Sequence, residues 1–223
     1  MSAVPTETAL GPLNPWELKH ASQELWLAGD ATLLQRHPRV AVVGTRNPSA
    51  RGQLQTQKLV RSLVRHGAII VSGLAAGVDT IAHTEAIQHG GRTIAVLGTP
   101  LDQCYPQANA ALQRRIGEEH LLVSEFPPTS PAERGNFPRR NRTMALIADA
   151  SVIVEAGPTS GTISQGWEAL RLGRPLFLLR SLVESGLPWP ADMVAHGAMP
   201  LDQIRDLLAC LPHSERFAAA IPF

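Results

Sequence analysis

Three arginines and one phenylalanine lie within residues 136–142 of a chain whose formal net charge at pH 7 is only +1. The arginines are Arg139, Arg140 and Arg142, the aromatic residue is Phe137, and Asn141 lies among them. A guanidinium group pairs bidentately with phosphate and stacks on flat rings, so this composition suits a single-stranded nucleic-acid backbone. A solvated basic loop or helix start is the alternative that the run alone leaves open.

Glycine-containing turns follow four short apolar runs of the chain. Because the carboxyl ends of parallel strands meet at one edge of an open α/β sheet, we expect these turns to converge on a ligand there. Glycine lets backbone N–H groups approach phosphate oxygens, and the helix N-termini that follow favour negative charge. Glycine also serves βα turns for structural reasons alone. The turn residues that we assign to phosphate or DNA binding are Gly44, Thr45, Arg46, Asn47, Ser72, Gly73, Gly77, Gly98, Ser160, Gly161 and Thr162.

The elements that must position these residues alternate in type from residue 39 onward. Short apolar runs alternate with amphipathic stretches, which is typical of βαβ units and a mostly parallel sheet flanked by helices, an α/β fold. The predicted strands are 40–43, 68–72, 93–97, 121–124, 151–155 and 175–179. The predicted helices are 52–66, 78–89, 108–118, 143–147 and 163–172, with a short helix within 15–25 and a closing helix over 201–211.

The length and composition are those of a globular protein with room for one large or two small domains and with enough apolar surface for a core. The chain has 223 residues, of which 44% are hydrophobic. We expect an N-terminal leader that packs on the core (1–38), a core domain (39–211) and a C-terminal tail (212–223). No run of about 18 uncharged apolar residues and no secretion signal is evident, so we expect a cytoplasmic protein without a membrane span.

The sequence contains no convincing catalytic or metal site. None of the glycine turns has the spacing of a dinucleotide-binding or P-loop motif, so no cofactor is expected. Asp79 and His83 are one helical turn apart but have no accompanying nucleophile, and we expect them to hydrogen-bond within the fold. Cys104 and Cys210 lack the spacing of a zinc site. We therefore predict neither catalytic nor metal-binding residues.

Five motifs in succession resemble those of the DprA/Smf proteins. The first two are Val-Val-Gly-Thr-Arg-Asn-Pro at 42–48 and Ser-Gly-Leu-Ala-Ala-Gly-Val-Asp at 72–79, with Ala-His following at 82–83. Ala-Val-Leu-Gly-Thr-Pro-Leu-Asp at 95–102, with Tyr-Pro at 105–106, and Ser-Glu-Phe-Pro-Pro at 124–128 continue the series. Phe-Pro-Arg-Arg-Asn-Arg at 137–142 completes it. The motifs occur in the family's order and spacing over about residues 24–180.

The resemblance implies an extended Rossmann-like fold and a basic pocket for single-stranded DNA. Members of the family protect incoming strands in natural transformation, load the RecA recombinase onto them and commonly form homodimers. Matched to the motifs, Arg46 and the arginines of 139–142 would contact DNA, and Phe137 would stack on a base. Backbone amides around Gly73, Gly77 and Gly98 would line the pocket.

The sequence departs from the family pattern at three places. Ala76 stands where the family usually has arginine, so one expected cation is missing. Ser-Gly-Thr-Ile-Ser at 160–164 replaces the usual Ser-Gly-Ser-Leu-Ile-Thr, and the run 177–180 lacks the usual Pro-Gly exit. The chain is also too short to hold the accessory N-terminal helical or C-terminal winged-helix domain of many members. We therefore expect either a minimal member or a relative with a changed ligand.

An enzyme of the same superfamily is the alternative. The lonely-guy enzymes hydrolyse the N-glycosidic bond of nucleoside monophosphates, and their Pro-Gly-Gly-x-Gly-Thr-x-x-Glu motif loosely resembles residues 157–165. Gln165 stands where their glutamate would be, and an amide cannot take or release a proton as a carboxylate does. Glu168 lies one turn farther along the predicted helix and could substitute for it. A protein that senses a small nucleotide-derived signal is a further alternative, because it would bind the same kind of ligand.

Overall fold

A single sheet of nine strands forms the centre of the protein in a computed structural model that describes residues 1–212. The strands are β1 Ser2–Pro5, β2 Glu24–Gly29, β3 Arg39–Val43, β4 Ile69–Ser72, β5 Thr93–Leu97, β6 Leu121–Ser124, β7 Ala150–Ile153, β8 Leu176–Leu179 and β9 Met199–Leu201. Their order across the sheet is β1-β2-β6-β5-β4-β3-β7-β8-β9. Strands β3 to β9 are parallel, and β2 pairs antiparallel with both β1 and β6.

Helices follow most of the parallel strands. Within residues 1–212 they are α1 Thr6–Leu10, α2 Pro15–His20, α3 Ala50–Arg65, α4 Val78–Gln88, α5 Ala110–Glu119, α6 Asn136–Ile147, α7 Thr162–Arg171, α8 Arg180–Val183, α9 Pro188–Ala195 and α10 Ile204–Leu208. Two 3-10 turns, Ala31–Gln35 and Gln107–Asn109, join them. This architecture confirms the predicted α/β fold with a mostly parallel sheet.

Both faces of the sheet are covered, as β3 at its centre shows. All five residues of β3 are buried, which is typical of a parallel strand that has helices on both sides. Val40 and Val42 pack in one cluster with residues of α3 and α4. Ala41 and Val43 pack in another cluster with residues of α6 and α7. Because successive side chains of β3 point to opposite faces, α3 and α4 cover one face of the sheet and α6 and α7 cover the other.

The order in which the chain adds parallel strands to the sheet reverses at β3. From β3 the chain adds β4, β5 and β6 on one side, and it then returns to place β7 and β8 on the other side. Open α/β sheets bind ligands where strand order reverses in this way, because the connections leave the strand ends in opposite directions and open a crevice. The carboxyl ends of β3 and β7 border that crevice.

The six predicted strands are present, with ends that differ by at most two residues from the expected ones. One helix was predicted too short: α6 begins at Asn136 rather than at 143. Pro138 lies in its first turn, where a backbone N–H would have no helical partner in any case, so proline is tolerated there. The arginine-rich motif is therefore helical.

The segment 1–38 contributes β1 and β2 to the edge of the sheet, two strands that were not predicted. In β2 the alternating Leu25 and Leu27 are buried. Within the region expected to hold a short helix, α2 is capped by Asn14, whose side chain accepts from the backbone N–H of Glu17. The closing helix is present only as α10, preceded by β9. From residue 213 on, the expected tail lies outside the described residues, and the domain boundaries stay predictions.

Candidate nucleic-acid interface

Two adjoining pockets open at the carboxyl edge of the sheet. The first, the α7 pocket, has a volume of about 420 Å³ and lies between the end of β3 and the start of α7. The second, the Tyr105 pocket, has a volume of about 290 Å³ and lies over the ends of β4 and β5. Arg46, Ala75, Phe137 and Arg140 line both pockets and form their common wall. The common wall therefore carries two of the arginines and the aromatic residue singled out in the sequence.

Arg140 is buried at the centre of this wall, with only 7% of the residue exposed. Its Nη1 donates to the carbonyl oxygens of Gly73, at 2.5 Å, and Val96, at 2.9 Å, and its Nε donates to Asn141 Oδ1 at 3.0 Å. Among the described residues its Nη2 has no hydrogen-bond partner. Three donor bonds thus fix the guanidinium plane, and the remaining nitrogen is free for a ligand.

Gly73 leaves the space that the Arg140 guanidinium occupies. A Cβ atom at this position would lie 1.8 Å from Arg140 Nη1, far inside contact distance. Asp79 holds the same turn from the other side, since its Oδ2 accepts from the backbone N–H groups of Gly73 and Ala75 at 3.1 and 3.3 Å. Burial raises the pKa of Asp79, and the charge of Arg140 opposes that rise. Burial has the opposite effect on Arg140 and lowers its pKa, and the negative charge of Asp79 opposes that fall.

Arg46 is the exposed cation of the two pockets. It follows β3 in the turn that leads to α3, and within residues 1–212 it forms no ion pair. Gly77 allows this turn to approach the β4–α4 turn, since a Cβ at Gly77 would lie 2.4 Å from the carbonyl oxygen of Thr45. Gly77 also has a positive φ of 78°, which favours glycine. The two turns therefore support each other beneath Arg46.

Arg139 and Arg142 do not line either pocket, so the DNA contact expected of them stays a prediction. Arg139 Nη2 pairs with Glu125 Oε2 at 3.4 Å, and its guanidinium carbon lies 5.1 Å from the centre of the Phe126 ring. Arg142 Nε pairs with Glu168 Oε2 at 3.2 Å. The reason is helical geometry: successive residues of α6 are rotated by about 100°, so neighbouring arginines point in different directions.

Phe137 stands between the pockets, in contact with a tyrosine that was not among the predicted site residues. The ring centroids of Phe137 and Tyr105 are 5.6 Å apart at an interplanar angle of 55°. Gly98 makes room for Phe137, because a Cβ there would lie 2.7 Å from the ring. Tyr105 is 53% exposed at the mouth of its pocket. Its position in the Tyr-Pro motif was the signal that could have identified it.

The loop before α7 closes the other side of the α7 pocket. Thr162 Oγ1 donates to the carbonyl oxygen of Gly44 at 3.0 Å, which ties the loop to the end of β3. Asn141 Nδ2 donates to the carbonyl oxygen of Gly161 at 3.2 Å, and Ser160 Oγ accepts from the N–H of Thr162 at 3.3 Å. These side chains hold the frame of the pocket and place the N-terminus of α7 against it.

Gln165 was also missed as a site residue. It lines the α7 pocket and is 1% exposed, and neither Nε2 nor Oε1 has a hydrogen-bond partner within residues 1–212. Glu168, considered as a substitute for a catalytic glutamate, does not line either pocket. Its carboxylate instead pairs with Arg142 and Arg171.

Twelve of the sixteen predicted site residues line the two pockets. They are Gly44, Thr45, Arg46, Asn47, Gly73, Gly98, Phe137, Arg140, Asn141, Ser160, Gly161 and Thr162. Of the remaining four, Arg139 and Arg142 face carboxylates, and Gly77 supports a turn. Ser72 is fully buried, and its hydroxyl donates to the carbonyl oxygen of Val42 at 2.7 Å.

Other titratable groups serve the fold. His83 is buried on α4 and bonds Thr93 Oγ1 through Nδ1 at 2.7 Å; because Thr93 donates its own proton to Ile70, Nδ1 carries the histidine proton. Burial lowers the pKa of His83 to about 3.

In the described part of the chain, no group of three or more His, Cys, Asp or Glu side chains is arranged to hold a metal ion. No helix there is long and apolar enough to cross a membrane.

Sequence comparisons identify relatives over most of the chain. The family model of DNA recombination-mediator protein A matches residues 11–212. The chain is 37% identical to DNA processing protein DprA of Streptococcus pneumoniae over 209 residues, which are 92% of this chain and 73% of that protein. It is 33% identical to DprA of Bacillus subtilis, spanning 64% of that protein, and 44% identical to protein Smf of Synechocystis, spanning 39% of that one. The chain thus spans part of each relative's length.

Solved structures show the same fold. The structure of DprA from Streptococcus pneumoniae superposes with a TM-score of 0.81 at 36% identity, covering 93% of this chain and 73% of that one. DNA processing protein A from Helicobacter pylori, whose structure describes a single-stranded DNA binding mode, gives a TM-score of 0.78 at 30% identity over 94% and 93% of the two chains. The molybdenum cofactor carrier protein of Chlamydomonas reinhardtii, at 21% identity and a TM-score of 0.54, shares the fold alone. On these matches, the chain belongs to the DNA recombination-mediator protein A family, the DprA/Smf proteins.

Proposed function

We propose that this protein binds single-stranded DNA along the common wall of the two pockets. The observation that carries the proposal is the composition of this wall. Within residues 1–212, Arg46 has no ion pair and Arg140 Nη2 has no hydrogen-bond partner, and Phe137 lines the same two pockets. Cations beside an aromatic ring are what single strands require, because phosphates need positive charge and unpaired bases stack. The DNA-binding mode described for the Helicobacter pylori relative supports the same ligand class.

The wall favours a single strand over a duplex. Phe137 is half-buried and lines both pockets, and a base can stack on its ring only when the base is unpaired. The polar groups of the wall are guanidinium and backbone groups, which contact phosphates and carry little sequence information. We therefore expect the common wall itself to bind strands of any sequence, and we expect weaker binding of duplex DNA.

Fluorescence anisotropy with a labelled mixed-sequence oligonucleotide tests the proposal. Two arginines that each neutralise one phosphate predict a slope of log K against log salt of about −1.4, at about −0.7 per contact on a single strand. Raising the salt concentration from about 50 to about 200 mM should then weaken binding about sevenfold. A flat salt response, or equal affinity for the matching duplex, would reject it.

The wider role that the family resemblance implies is part of the proposal. We infer a cytoplasmic protein that protects strands taken up in natural transformation, forms homodimers and loads RecA onto the bound strand. Because the chain spans only part of its relatives, these activities must be measured on this chain. Sedimentation analysis tests the dimer. RecA-catalysed strand exchange, with and without the protein, tests the loading.

We propose that binding, and not hydrolysis, is the activity of the α7 pocket. Cleavage of an N-glycosidic bond needs a proton donor or acceptor. At the relevant helix position the pocket presents the amide of Gln165, while Glu168 is turned toward two arginines. Incubation with AMP followed by chromatography should show no free adenine. Release of adenine that depends on the protein would favour the phosphoribohydrolase instead.

A further inference from the structure

We infer that the α7 pocket takes one nucleoside monophosphate unit and that Gln165 recognises the edge of its base. The inference rests on the proposed function, because it assigns a ligand class to part of the same site. Its starting point is the amide of Gln165. That amide has two donor hydrogens and an acceptor oxygen, and neither its nitrogen nor its oxygen has a partner within residues 1–212. Buried polar groups are nearly always hydrogen-bonded, so this amide calls for a ligand.

The rest of the pocket matches a phosphate at one end. The N-terminus of α7 and the loop before it border the pocket, and helix N-termini favour anions. Arg46 and Arg140 line the same pocket. The helix terminus alone would not define a site, but here it shares the pocket with two arginines and with the unpartnered amide.

The pocket also offers apolar contacts for a flat base. Val43, Ala75, Phe137 and Met144 line it together with the polar groups. Its volume of about 420 Å³ lies in the range of small-ligand sites. The arginines and helix N-terminus suit the phosphate of a nucleotide, the apolar residues suit the flat face of its base, and the amide suits the edge of the base.

An amide distinguishes a base by pairing with an adjacent donor and acceptor. Glutamine pairs in this way with adenine, accepting from N6 and donating to a neighbouring ring nitrogen. Adenine is therefore the base for which Gln165 is best suited. The nucleotide can be a unit of a bound strand or a free nucleoside monophosphate, and both sources present the same chemistry.

Calorimetry with small ligands tests this assignment. The ligands are dAMP, the same nucleotide with purine in place of adenine, and deoxyribose 5-phosphate. We expect dAMP to bind at least about tenfold more tightly than deoxyribose 5-phosphate, with the purine nucleotide in between, since a bidentate contact to a base is worth about tenfold or more. Gln165→Leu should remove this advantage and leave the affinity for deoxyribose 5-phosphate unchanged.

A matched variant controls for loss of an amide elsewhere. Gln55 lies on α3 and bonds Ser181 outside both pockets, so Gln55→Leu should keep the preference for dAMP. Equal melting temperatures of wild type and Gln165→Leu would show that the variant folds. If wild type binds dAMP no better than deoxyribose 5-phosphate, or if Gln165→Leu keeps the preference, the assignment is wrong.

Competition between dAMP and a labelled oligonucleotide distinguishes a nucleotide of a bound strand from a free nucleotide. Together with the dAMP preference, it also distinguishes failure of this inference from failure of the proposed function. If dAMP displaces a labelled oligonucleotide, the pocket holds a unit of the strand; if both bind together, it holds a free nucleotide. Strand binding by wild type without any preference for dAMP would overturn this inference and leave the proposed function standing. A preference for dAMP that depends on Gln165, without strand binding, would overturn the proposed function instead.

Discussion

Arg46→Ala and Arg142→Ala should affect DNA binding very differently, although each variant removes one positive charge. Arg46 lines both pockets and has no ion pair within residues 1–212, so it can neutralise a phosphate. Arg142 is held by Glu168, with Nε and Oε2 3.2 Å apart, and lies outside the pockets. Loss of one phosphate contact should reduce the salt slope by about 0.7, and loss of a charged hydrogen bond of about 1.5–3 kcal/mol should weaken binding at least about tenfold.

The assay is anisotropy of a labelled single strand at four or more salt concentrations, with both variants and wild type in parallel. Because the change in net charge is the same, a general electrostatic effect would appear equally in both variants. Arg142→Ala is expected to keep the wild-type slope. If Arg142→Ala lowers the slope as much as Arg46→Ala does, the assignment of binding to the common wall is refuted.

Three other substitutions test the site and its support. Gly73→Ala should displace the Arg140 guanidinium and lower the free energy of unfolding by about 1–3 kcal/mol in urea titrations, whereas Gly135→Ala, with no atom near its Cβ, should not. Phe137→Leu keeps apolar packing but loses ring stacking, so strand affinity measured by anisotropy should fall by about 1 kcal/mol or more. The pKa of His83 is lowered to about 3 in the folded protein, whereas a histidine in the unfolded chain has a pKa of about 6.5. The folded state keeps the ring neutral, so the free energy of unfolding is unaffected by this group above about pH 6.5 and falls below that pH, by about 2 kcal/mol at pH 5. Urea titrations at pH 7 and 5 should show that loss in wild type but not in His83→Gln; equal pH dependence in both would contradict it.

The fold could be predicted from the sequence because the central strands are buried on both faces. Each of them reads as a continuous apolar run, and each is followed by a helix-forming stretch of ordinary length. The edge strands were missed for the opposite reason. β1 and β9 have four and three residues and include prolines, so they have neither the length nor the pattern of a strand. β2 contains the continuous apolar run Leu-Trp-Leu-Ala at 25–28, and the alternation of buried Leu25 and Leu27 is visible only in the structure.

Most of the candidate site was also predictable, because turns after parallel strands must converge on one edge. What the sequence does not specify is the direction of a side chain. The predicted helix over 143–147 leaves the arginine motif in front of it, whereas the motif forms the first turns of α6. A loop could have gathered three arginines in one pocket, but a helix separates them. Only the helix start decides this, and helix starts are the least certain part of a sequence-based prediction.

Ala76 affects where the positive charge of the site lies. It lines the Tyr105 pocket at the position where the family usually has arginine, so that pocket draws its charge from Arg46 and Arg140 alone among the residues that line it. Both of these arginines belong equally to the α7 pocket. A phosphate held by either arginine therefore lies at the boundary of the two pockets, and a strand crossing that boundary passes Phe137. Because Ala76 adds no charge, the positive charge among the residues that line the Tyr105 pocket lies on the wall that the two pockets share.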